Sequence, residues 1–350
     1  MIFSQLILNW FHDHGRKNLP WKNKNLYEIW ISEIMLQQTK VKTVIPYYNK
    51  FIQYFPNITI LGNSSLDQIM NIWSGMGYYH RAKNIHKTAK IIIKKYNGCF
   101  PDTYHHIINL PGIGKTTAGA ILSFSLGYYF PILDSNVKRI LSRIYLIHGN
   151  MSNTSTIKIL WNIIERLTPI YHTDKFNQAI MDVGSLICTI NNPKCNHCPL
   201  NKSCLSYKHA LWHQYPKKNK KEKKIKKYLF GIIIQYNNSF LLNKINQQYL
   251  WNELFTFPIF ETQKMLFFWI KKNELDTKNM LYLPIFKCNV TTFQLILNNI
   301  LIKISSKPII KDILPNHIWY NFQKPQYIIG IPTPIKTILK KIINCNHIYE

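Results

Sequence analysis

Four cysteines that lie close together in the sequence could bind a metal centre. Cys188, Cys195, Cys198 and Cys204 fall within seventeen residues, with the spacing Cys-x6-Cys-x2-Cys-x5-Cys. Four thiolates in so short a loop can converge on one soft metal centre, and either an iron–sulfur cluster or zinc fits this spacing. We do not expect a disulfide framework, because the chain shows no secretory leader and the cytosol keeps thiols reduced.

A carboxylate in the N-terminal part of the chain lies on an apolar stripe. Apolar residues recur at helical spacing between Leu26 and Gln37, and Glu33 falls on the same face. Burial raises the pKa of a carboxyl group toward neutrality, and a general acid and base needs such a pKa. A buried glutamate held by a structural partner such as an arginine would give the same pattern.

A second carboxylate, Asp134, directly precedes the helical stretch Ser135–Ile144. It could simply cap that helix. A helix N-terminus also keeps an aspartate ionised, so Asp134 could face a developing cation. Glu33 as an acid and Asp134 as an anion would together suit cleavage of a glycosidic bond through an oxocarbenium-like transition state.

A glycine-containing turn, Leu110–Lys115, separates the helical stretches Thr103–Asn109 and Thr116–Ser125. Gly112 and Gly114 allow a tight turn, and the N–H groups of the following helix can bind a phosphate without reading base sequence. The spacing of the glycines is not that of a nucleotide P-loop. An ordinary turn between two helices is the alternative.

The charge balance favours a polyanionic partner. Lys and Arg number 44 against 16 Asp and Glu, which gives a net charge of +28. Such an excess favours binding to nucleic acid through release of counterions. A general bias toward Lys, Ile and Asn in the whole chain would also contribute to this charge.

The patterns predict two domains joined by a linker. Residues 1–213 have helical periodicity and read as all-α, with the hairpin at about 103–125 and the cysteine loop at 188–204. Residues 214–227 are rich in lysine and are expected to be a flexible linker. Residues 228–350 read as an α+β domain. Its expected elements are a hairpin of Tyr228–Tyr236 and Ser239–Ile245 around Asn237-Asn238, strands in Leu254–Phe260 and Leu281–Phe286, and a helix at Ile335–Ile343.

Several separate motifs in the helical part resemble one family. They spread over residues 10 to 205. On these motifs the chain resembles the helix-hairpin-helix DNA glycosylases, and within them the MutY family. The motifs are Leu19-Pro20-Trp21, Trp30–Thr39, Gly75–Tyr79, Leu110–Lys115, Phe130–Arg139, Phe176–Ala179 and the four cysteines.

The resemblance implies a two-lobed fold that flips a nucleotide out of duplex DNA, because the target bond is shielded inside the stack. It implies that Glu33 protonates an adenine and then activates water, that Asp134 stabilises the oxocarbenium ion, and that the cysteines hold one 4Fe-4S cluster. Tyr78 would wedge beside 8-oxoguanine, although by itself it would read as a core aromatic. Gln37 and Gln38 would fill the opened duplex. The other expected DNA contacts are Thr39, Gly112, Gly114, Lys115, Thr116 and Lys138, and the weaker adenine-pocket candidates are Lys17, Trp21, Lys22 and Gln178.

Endonuclease III is the nearest alternative family. It shares the hairpin, the aspartate and the cluster, but has a nucleophilic lysine two residues after the second hairpin glycine. Thr116 occupies that position here. We therefore expect a glycosylase without efficient strand cleavage, and a phosphate contact from Lys115. A lesion-binding protein that kept the cluster and lost catalysis is a further alternative, against which Glu33 and Asp134 argue.

The second domain resembles the Nudix-like module of the MutY family at Leu250-Trp251, Phe257-Pro258, Ile318–Tyr320 and Ile331–Pro334. A Glu-rich Nudix box is absent from the sequence, so pyrophosphate hydrolysis is not expected. The family turn Phe-Ser-His, which faces 8-oxoguanine, is replaced by Val290-Thr291-Thr292, and only Thr291 could supply the serine-like hydroxyl. We expect a monomer in the bacterial cytoplasm or nucleoid that binds double-stranded DNA containing an adenine mispair and no membrane.

Overall fold

The structure, a computed structural model, describes residues 2–217, 224–245, 250–278, 280–290, 293–307 and 317–346. The chain divides into two compact units. The first comprises Met1–Asn63 with Lys83–Lys221, and the second comprises Ser64–Ala82 with Glu222–Glu350. Residues Ser64–Ala82, which the sequence patterns place in the first domain, thus pack with the C-terminal part. No helix in the described ranges is long and apolar enough to cross a membrane.

The N-terminal part of the chain is helical, as the periodicity predicts. Its helices are α1 (Ile2–His14), α2 (Leu26–Leu36), α3 (Val41–Tyr54), α4 (Ile58–Asn63), α5 (Leu66–Trp73), α6 (His80–Tyr96), α7 (Tyr104–Ile108), α8 (Lys115–Leu126), α9 (Ser135–Ile144), α10 (Thr154–Leu167), α11 (Thr173–Asp182) and α12 (Leu205–Lys208). A π-helical turn, Val183–Ile187, continues α11, and two 3-10 turns, Cys195–His197 and Asn201–Ser203, lie in the cysteine loop.

The apolar core of the first unit is built around α9. Val137, Ile140, Leu141 and Ile144 recur at helical spacing on this helix and are all buried. They pack against the buried faces of α10 and α11 and against Ile7 of α1. Cys188, Cys198 and Cys204 border the same core, so α9 connects the cysteine loop to the rest of the unit.

The C-terminal part contains a mixed sheet. Its strands are β1 (Ile225–Tyr236), β2 (Ser239–Lys244), β3 (Phe255–Thr256), β4 (Ile259–Phe260), β5 (Met280–Tyr282), β6 (Phe286–Asn289), β7 (Phe293–Ile304) and β8 (His317–Asn321). The order is β3-β2-β1-β7-β5, with β4 on β1, β6 on β7 and β8 on β2. The central pair β1 and β7 is parallel and runs from Ile225 opposite Phe293 to Tyr236 opposite Ile304.

Each face of this sheet is covered by one helix. Leu229 and Ile233 of β1 point to the core formed with α14 (Thr333–Asn346), which contains Ile335 and Leu339. The alternate residues of β1, such as Ile232, point to the core formed with α13 (Gln263–Lys272). Because successive side chains of a strand point to opposite faces, a central strand covered on both sides must be apolar almost throughout. The predicted α+β class is therefore confirmed.

The expected elements of the second domain are present with two changes. The two-residue turn at Asn237-Asn238 joins β1 and β2, and Asn237 has a positive φ of 48°, as such turns require. Leu254–Phe260 is divided into β3 and β4 near Pro258, and Leu281–Phe286 contains the end of β5 and the start of β6 on either side of Pro284. Proline has no backbone N–H to donate to a ladder, so each run is interrupted there.

The predicted linker is shorter at its C-terminal end than the sequence suggests. Strand β1 begins at Ile225, although the lysine content placed residues up to 227 in the linker. Lys226 pairs with Gln294, and Lys227 pairs with Leu295. Both lysine side chains stay at the surface, so ladder hydrogen bonds form without burying their charge. Residues 218–223 lie outside the described ranges.

Adjacent residues of α10 offer a test of this core. Leu160 is fully buried in the core of the first unit, whereas Ile159 is 50% exposed. We expect Leu160→Ala to lower the free energy of unfolding by about 2–5 kcal/mol, because the truncation leaves a cavity. Ile159→Ala should change it by less than about 0.5 kcal/mol. Urea unfolding of both variants checks this, and equal losses would contradict the observed packing.

Candidate active site

Helix α2 carries Glu33 on its inward side. Asn25 caps this helix, and its side-chain oxygen accepts a hydrogen bond from the backbone N–H of Glu28 at 2.9 Å. Ile29 and Ile34, four residues before and one after Glu33, are buried. Glu33 itself is partly buried, so its carboxyl group sits at the edge of the apolar core. The sequence prediction of a carboxylate on the buried stripe is confirmed.

The surroundings of Glu33 favour its neutral form. Burial is the main cause and the nearby negative charge of Asp134 is the second, and together they raise the pKa of Glu33 to about 8. The carboxyl group of Glu33 therefore holds its proton at neutral pH. Because Asp134 contributes to this pKa, the structure brings together the two carboxylates that the sequence singled out 101 positions apart.

Asp134 is the N-cap of α9. Its Oδ1 accepts a hydrogen bond from the backbone N–H of Val137, and its Oδ2 accepts one from Nδ2 of Asn136, both at 2.8 Å. We expected the helix N-terminus to keep Asp134 ionised. Burial raises its pKa above the usual value, while the hydrogen bonds from Val137 and Asn136 and the charge of Arg139 act in the opposite direction and favour the ionised form.

The surroundings stabilise the ionised form of Asp134 more than that of Glu33. Asp134 accepts hydrogen bonds that stabilise its charged form, whereas the influences acting on Glu33 both disfavour charge. When two acids interact closely, the first proton leaves the better-stabilised anion. We therefore assign the proton shared at neutral pH to Glu33 and the negative charge to Asp134.

Hydrogen bonds continue from Asp134 toward the cysteine loop. Asn136 accepts a bond at its Oδ1 from Nη2 of Arg139 at 2.9 Å. Arg139 also donates from Nε to the carbonyl oxygen of Cys188 and from Nη2 to that of Gly184, both at 2.7 Å. Gly184 fits closely here, because an added Cβ would lie 2.6 Å from the Cβ of Asn136. The cysteine loop is thus fixed to the same helix end that holds Asp134.

The four cysteines line one small cavity. Its volume is about 30 Å³, and Arg143 and Trp212 also border it. Nη1 of Arg143 lies 3.3 Å from Sγ of Cys188 and 2.6 Å from the carbonyl oxygen of Thr189. Burial raises the pKa of the Cys198 thiol to about 12. Within the described part of the chain, no three Cys, His, Asp or Glu side chains are placed to hold a single metal ion.

The hairpin has the geometry expected of a backbone phosphate site. Gly112 has a φ of +80°, and an added Cβ would lie 2.7 Å from Nδ2 of Asn84, so glycine is required there. Gly114 is the N-cap of α8 and has no side-chain cap, and an added Cβ at Gly114 would meet nothing within 4 Å. The N-terminal N–H groups of α8 therefore receive no side-chain cap from Gly114, and the space beside Gly114 is open.

The side chains around the hairpin are engaged within the protein. Nζ of Lys115, expected to contact phosphate, lies 3.0 Å from Oε1 of Glu165 and 3.9 Å from the centre of the Trp161 ring. The pair is exposed on both sides. The hydroxyl of Thr116 donates to the carbonyl oxygen of Leu133 at 3.3 Å. Thr116 therefore contacts the residue directly before Asp134.

The end of α2 packs against the hairpin. Nε2 of Gln37 donates to the carbonyl oxygen of Gly112 at 3.2 Å and to the hydroxyl of Thr117 at 3.3 Å. Gln38 follows with a positive φ of 57° and is exposed, and Thr39 is partly buried. Gln37 thus belongs to the support of the hairpin, whereas Gln38 projects to the surface. Lys138 lies on the partly exposed side of α9.

The adenine-pocket candidates are held by different partners. Trp21 is buried and packs edge-on against Tyr48, with ring centres 5.3 Å apart. Nε2 of Gln178 donates to Oδ1 of Asp182 at 2.7 Å. The structure gives no contact that joins these two groups, and Lys17 and Lys22 are exposed.

Sequence reasoning missed Arg16 and Asp182. Asp182 is fully buried, and Oδ1 accepts bonds from both Nε and Nη2 of Arg16, at 2.9 and 2.6 Å. The backbone N–H of Arg16 donates to Oδ2 of the same carboxylate at 2.7 Å. A charged aspartate among the apolar residues of a helix is the only sequence signal for such a pair, and it does not identify the partner.

Tyr78 lies in the second unit and is partly buried. Its φ is +49°, between Gly77 and the start of α6. The guanidinium of Arg81 lies over the Tyr78 ring at 5.1 Å and over the Trp73 ring at 5.4 Å. Tyr78 is therefore neither a simple core aromatic nor a freely exposed ring. Thr291, the candidate for recognising 8-oxoguanine, lies outside the described residues.

Comparison with known proteins places this geometry in a family. Residues 31–166 match the model of the HhH-GPD superfamily of base excision DNA repair proteins, and this segment includes Glu33, the hairpin and Asp134. The adenine DNA glycosylase of Buchnera aphidicola subsp. Acyrthosiphon pisum is 50% identical over 97% of both chains. This chain belongs to the adenine DNA glycosylase family. The match covers residues of both units.

Solved structures agree with the helical fold of this adenine DNA glycosylase family member. A thermostable thymine-DNA glycosylase matches 59% of this chain and 96% of its own, with a TM-score of 0.54 and 28% identity. A non-covalent endonuclease III–DNA complex matches 59% and 94%, with a TM-score of 0.52 and 20% identity. The first of these also has related sequence, whereas the second shows the fold alone.

The raised pKa of Glu33 predicts a pH-dependent stability. The folded chain binds a proton that the unfolded chain releases above its ordinary value of 4.5, so stability must fall as the pH rises from about 4.5 to about 8. We expect Glu33→Gln to remove this fall and to be more stable than the wild type at pH 8.5, by roughly 5 kcal/mol. Urea unfolding at a series of pH values measures it. A constant difference between the two proteins would contradict a buried neutral acid.

Proposed function

We propose that the chain hydrolyses the N-glycosidic bond of adenine mispaired with 8-oxoguanine or guanine, without cleaving the DNA strand. The observation that carries this is the pairing of a carboxyl group with a pKa of about 8, Glu33, with a hydrogen-bonded carboxylate, Asp134. Such a pair supplies an acid and an anion at one pH, which two identical aqueous carboxyl groups cannot do.

The reaction follows from these two charge states. Glu33 gives its proton to a ring nitrogen of the flipped adenine, and the bond between that base and C1′ breaks with its electrons going to the base. Asp134 stabilises the positive charge that remains on the sugar. The carboxylate of Glu33 then takes a proton from water, and the hydroxide oxygen bonds to C1′. The products are free adenine and an abasic sugar, and Glu33 is again protonated.

The absence of strand cleavage is supported by position 116. A lyase of the endonuclease III type needs an amine there to form a Schiff base with C1′. Thr116 has no amine, and its hydroxyl is bonded to the carbonyl oxygen of Leu133. The amine of the preceding residue, Lys115, is paired with Glu165.

DNA binding would begin at the hairpin. The N-terminal N–H groups of α8, which have no side-chain cap, suit one phosphate, and Lys138 suits another. Lys115 would exchange its exposed partner Glu165 for phosphate, because exposed ion pairs contribute little free energy. Gln38, Thr39 and Tyr78 are the groups we assign to the opened duplex. The net charge of +28 predicts that affinity falls steeply with salt.

Two of the four adenine-pocket candidates are held in place by neighbouring residues. Trp21 and Gln178 are held in place by Tyr48 and Asp182, so each could offer a fixed surface to a base. Lys17 and Lys22 are exposed and would reach the sugar-phosphate backbone more readily than a buried base.

The cysteine cavity is proposed to hold one 4Fe-4S cluster. Cys188, Cys195, Cys198 and Cys204 surround one cavity, yet no three of them are placed to hold a single ion. A four-iron cluster takes one thiolate for each iron, so its ligands stand farther apart than those of one zinc ion. The Arg143 guanidinium beside Cys188 would offset part of the negative charge of the thiolates. When bound, the cluster would brace this loop, and the hydrolysis uses none of its chemistry.

The C-terminal domain is proposed to be Nudix-like and to recognise 8-oxoguanine. Its two helices on opposite faces of a mixed sheet support this fold, and the match to the Buchnera enzyme extends over it. Thr291 would contact the lesion. We propose that the protein acts as a monomer on chromosomal DNA in the bacterial cytoplasm.

A single-turnover assay tests the proposed reaction. A duplex with adenine opposite 8-oxoguanine should lose adenine, and Glu33→Gln should lower the rate by at least about a thousandfold, because the amide can neither give nor take the proton. The wild-type rate should fall as the pH rises through about 8, where Glu33 ionises. Full activity in Glu33→Gln would contradict the assignment of the acid.

Borohydride trapping on the same duplex tests whether the protein forms the Schiff base of a strand-cleaving enzyme. We expect no stable protein–DNA adduct, because position 116 lacks an amine. An efficient adduct with thymine glycol or another damaged pyrimidine would favour an endonuclease III-like function. Binding of every mispair with release of no base would favour a lesion-binding protein.

Metal analysis tests the cluster. Protein purified without oxygen should contain about four iron atoms and about four sulfides per chain, and no equivalent of zinc. Cys198→Ser should lower both iron and sulfide, while Cys99→Ser, at an exposed cysteine outside the cavity, should leave them unchanged. One zinc ion per chain with no sulfide would contradict the proposal.

A further inference from the structure

The segment Ser64–Ala82 is tied to the C-terminal domain, meaning residues 224–346, by an ion pair. Nζ of Lys244, on β2, lies 2.8 Å from Oδ1 of Asp67 in the first turn of α5 and 3.5 Å from Oε2 of Glu253. The Lys244 side chain is only 16% exposed. A partly buried pair of this kind is screened less by water than a surface pair, so it fixes geometry as well as charge.

Two further contacts hold the same segment along the length of α5. The hydroxyl of Ser74, the C-cap of this helix, donates to the carbonyl oxygen of Ile331 at 2.6 Å. Between the two ends, Gly330 lies against Met70 so closely that an added Cβ would be 2.6 Å from the Met70 Cβ. The start, middle and end of α5 therefore all contact the C-terminal domain.

The end of α5 in turn holds the turn that carries Tyr78. The carbonyl oxygen of Gly77 accepts hydrogen bonds from Nε1 of Trp73 at 3.0 Å and from Nη2 of Arg81 at 3.4 Å. The Arg81 guanidinium lies over the rings of Trp73 and Tyr78. Tyr78 has a positive φ, which a bulky residue adopts only where its surroundings impose it.

We propose that the C-terminal domain sets the position of the Tyr78 ring through α5, with Lys244 and Arg81 as positioning residues. The inference rests on the wedge role of Tyr78 given above under the proposed function. A wedge must separate stacked bases at a free-energy cost of a few kcal/mol, so its depth and angle have to be fixed before it enters the duplex. Lys244 would therefore influence lesion binding without a contact to DNA.

The geometry makes a specific prediction about how these residues act. If Lys244 works through Asp67, loss of either charge should have the same effect, and loss of both should be no worse than loss of one. If the effect is transmitted to Tyr78, it should disappear when the Tyr78 ring is removed. If the contact only stabilises the fold, its loss would change the melting temperature. Any effect of that loss on lesion binding would then not depend on Tyr78.

The experiment measures base unstacking separately from excision. The full-length protein binds a duplex with 8-oxoguanine opposite 2′-fluoro-2′-deoxyadenosine, which resists hydrolysis, and a 2-aminopurine beside the lesion reports unstacking by its fluorescence. The variants are Asp67→Asn, Lys244→Met, the double variant of these two, Ser74→Ala, Tyr78→Ala, and Lys244→Met combined with Tyr78→Ala. Lys264→Met, at an exposed lysine on α13, is the matched control. Circular dichroism melting follows the fold of each variant.

We expect the fluorescence rise to fall about two- to tenfold in Asp67→Asn and in Lys244→Met, by no more in the double variant, and to be unchanged in Lys264→Met. Ser74→Ala should act in the same direction. A full rise in both single variants, or an equal effect of Lys244→Met with and without Tyr78, would overturn the inference. If Tyr78→Ala alone keeps the full rise, both the wedge role and this inference are wrong.

The same protein preparations are also tested for base release from an ordinary mispair, which tests the proposed reaction separately. Wild-type protein that unstacks 2-aminopurine but releases no adenine from an ordinary mispair would contradict the proposed function and leave the anchoring of Tyr78 supported. Wild-type protein that releases adenine, with a fluorescence rise that Lys244→Met and Asp67→Asn do not change, would contradict the anchoring alone.

Discussion

The proposed reaction depends on keeping one carboxylic acid protonated at neutral pH beside another that is charged. In water both groups would be ionised, and neither could protonate a base. Helix α2 places Glu33 at the edge of an apolar core, which favours its protonated form. The N-terminus of α9 gives Asp134 hydrogen bonds, which favour its ionised form. Both helices are anchored by buried apolar residues, such as Ile34 on α2 and Val137 on α9.

The same helix connects the carboxyl pair to the cysteine loop. Arg139 and Arg143 are buried on α9, and most of their hydrogen bonds go to carbonyl oxygens of residues 184–190, in the segment after α11. A buried guanidinium is tolerated only when its donors are satisfied, so the loop and the helix must be assembled together. The position of Asp134 is therefore linked to the folding of the cysteine loop.

The features that sequence reasoning could predict were those with a local signal. Helical periodicity located α2, the glycines located the hairpin, and cysteine spacing located the cavity, because each pattern lies within about twenty residues. The sequence could not identify which distant residues these groups contact. Arg16 and Asp182 are 166 positions apart, Lys115 and Glu165 are 50 apart, and periodicity shows which face is buried but not against what. For the same reason the sequence placed α5 in the first domain, whereas it packs with the C-terminal part.

The discontinuous second unit has a consequence for synthesis of the chain. Residues Ser64–Ala82 leave the ribosome before β2 and Ile331, which later cover them. At roughly 5–20 residues per second, α5 waits for tens of seconds before its packing partners exist. During that interval the apolar side of α5, which includes the fully buried Ile69 and Met70 of the finished protein, has no C-terminal surface to pack against. The N-terminal helices can fold as they emerge, but the Tyr78 turn reaches its final form only after most of the chain has been made.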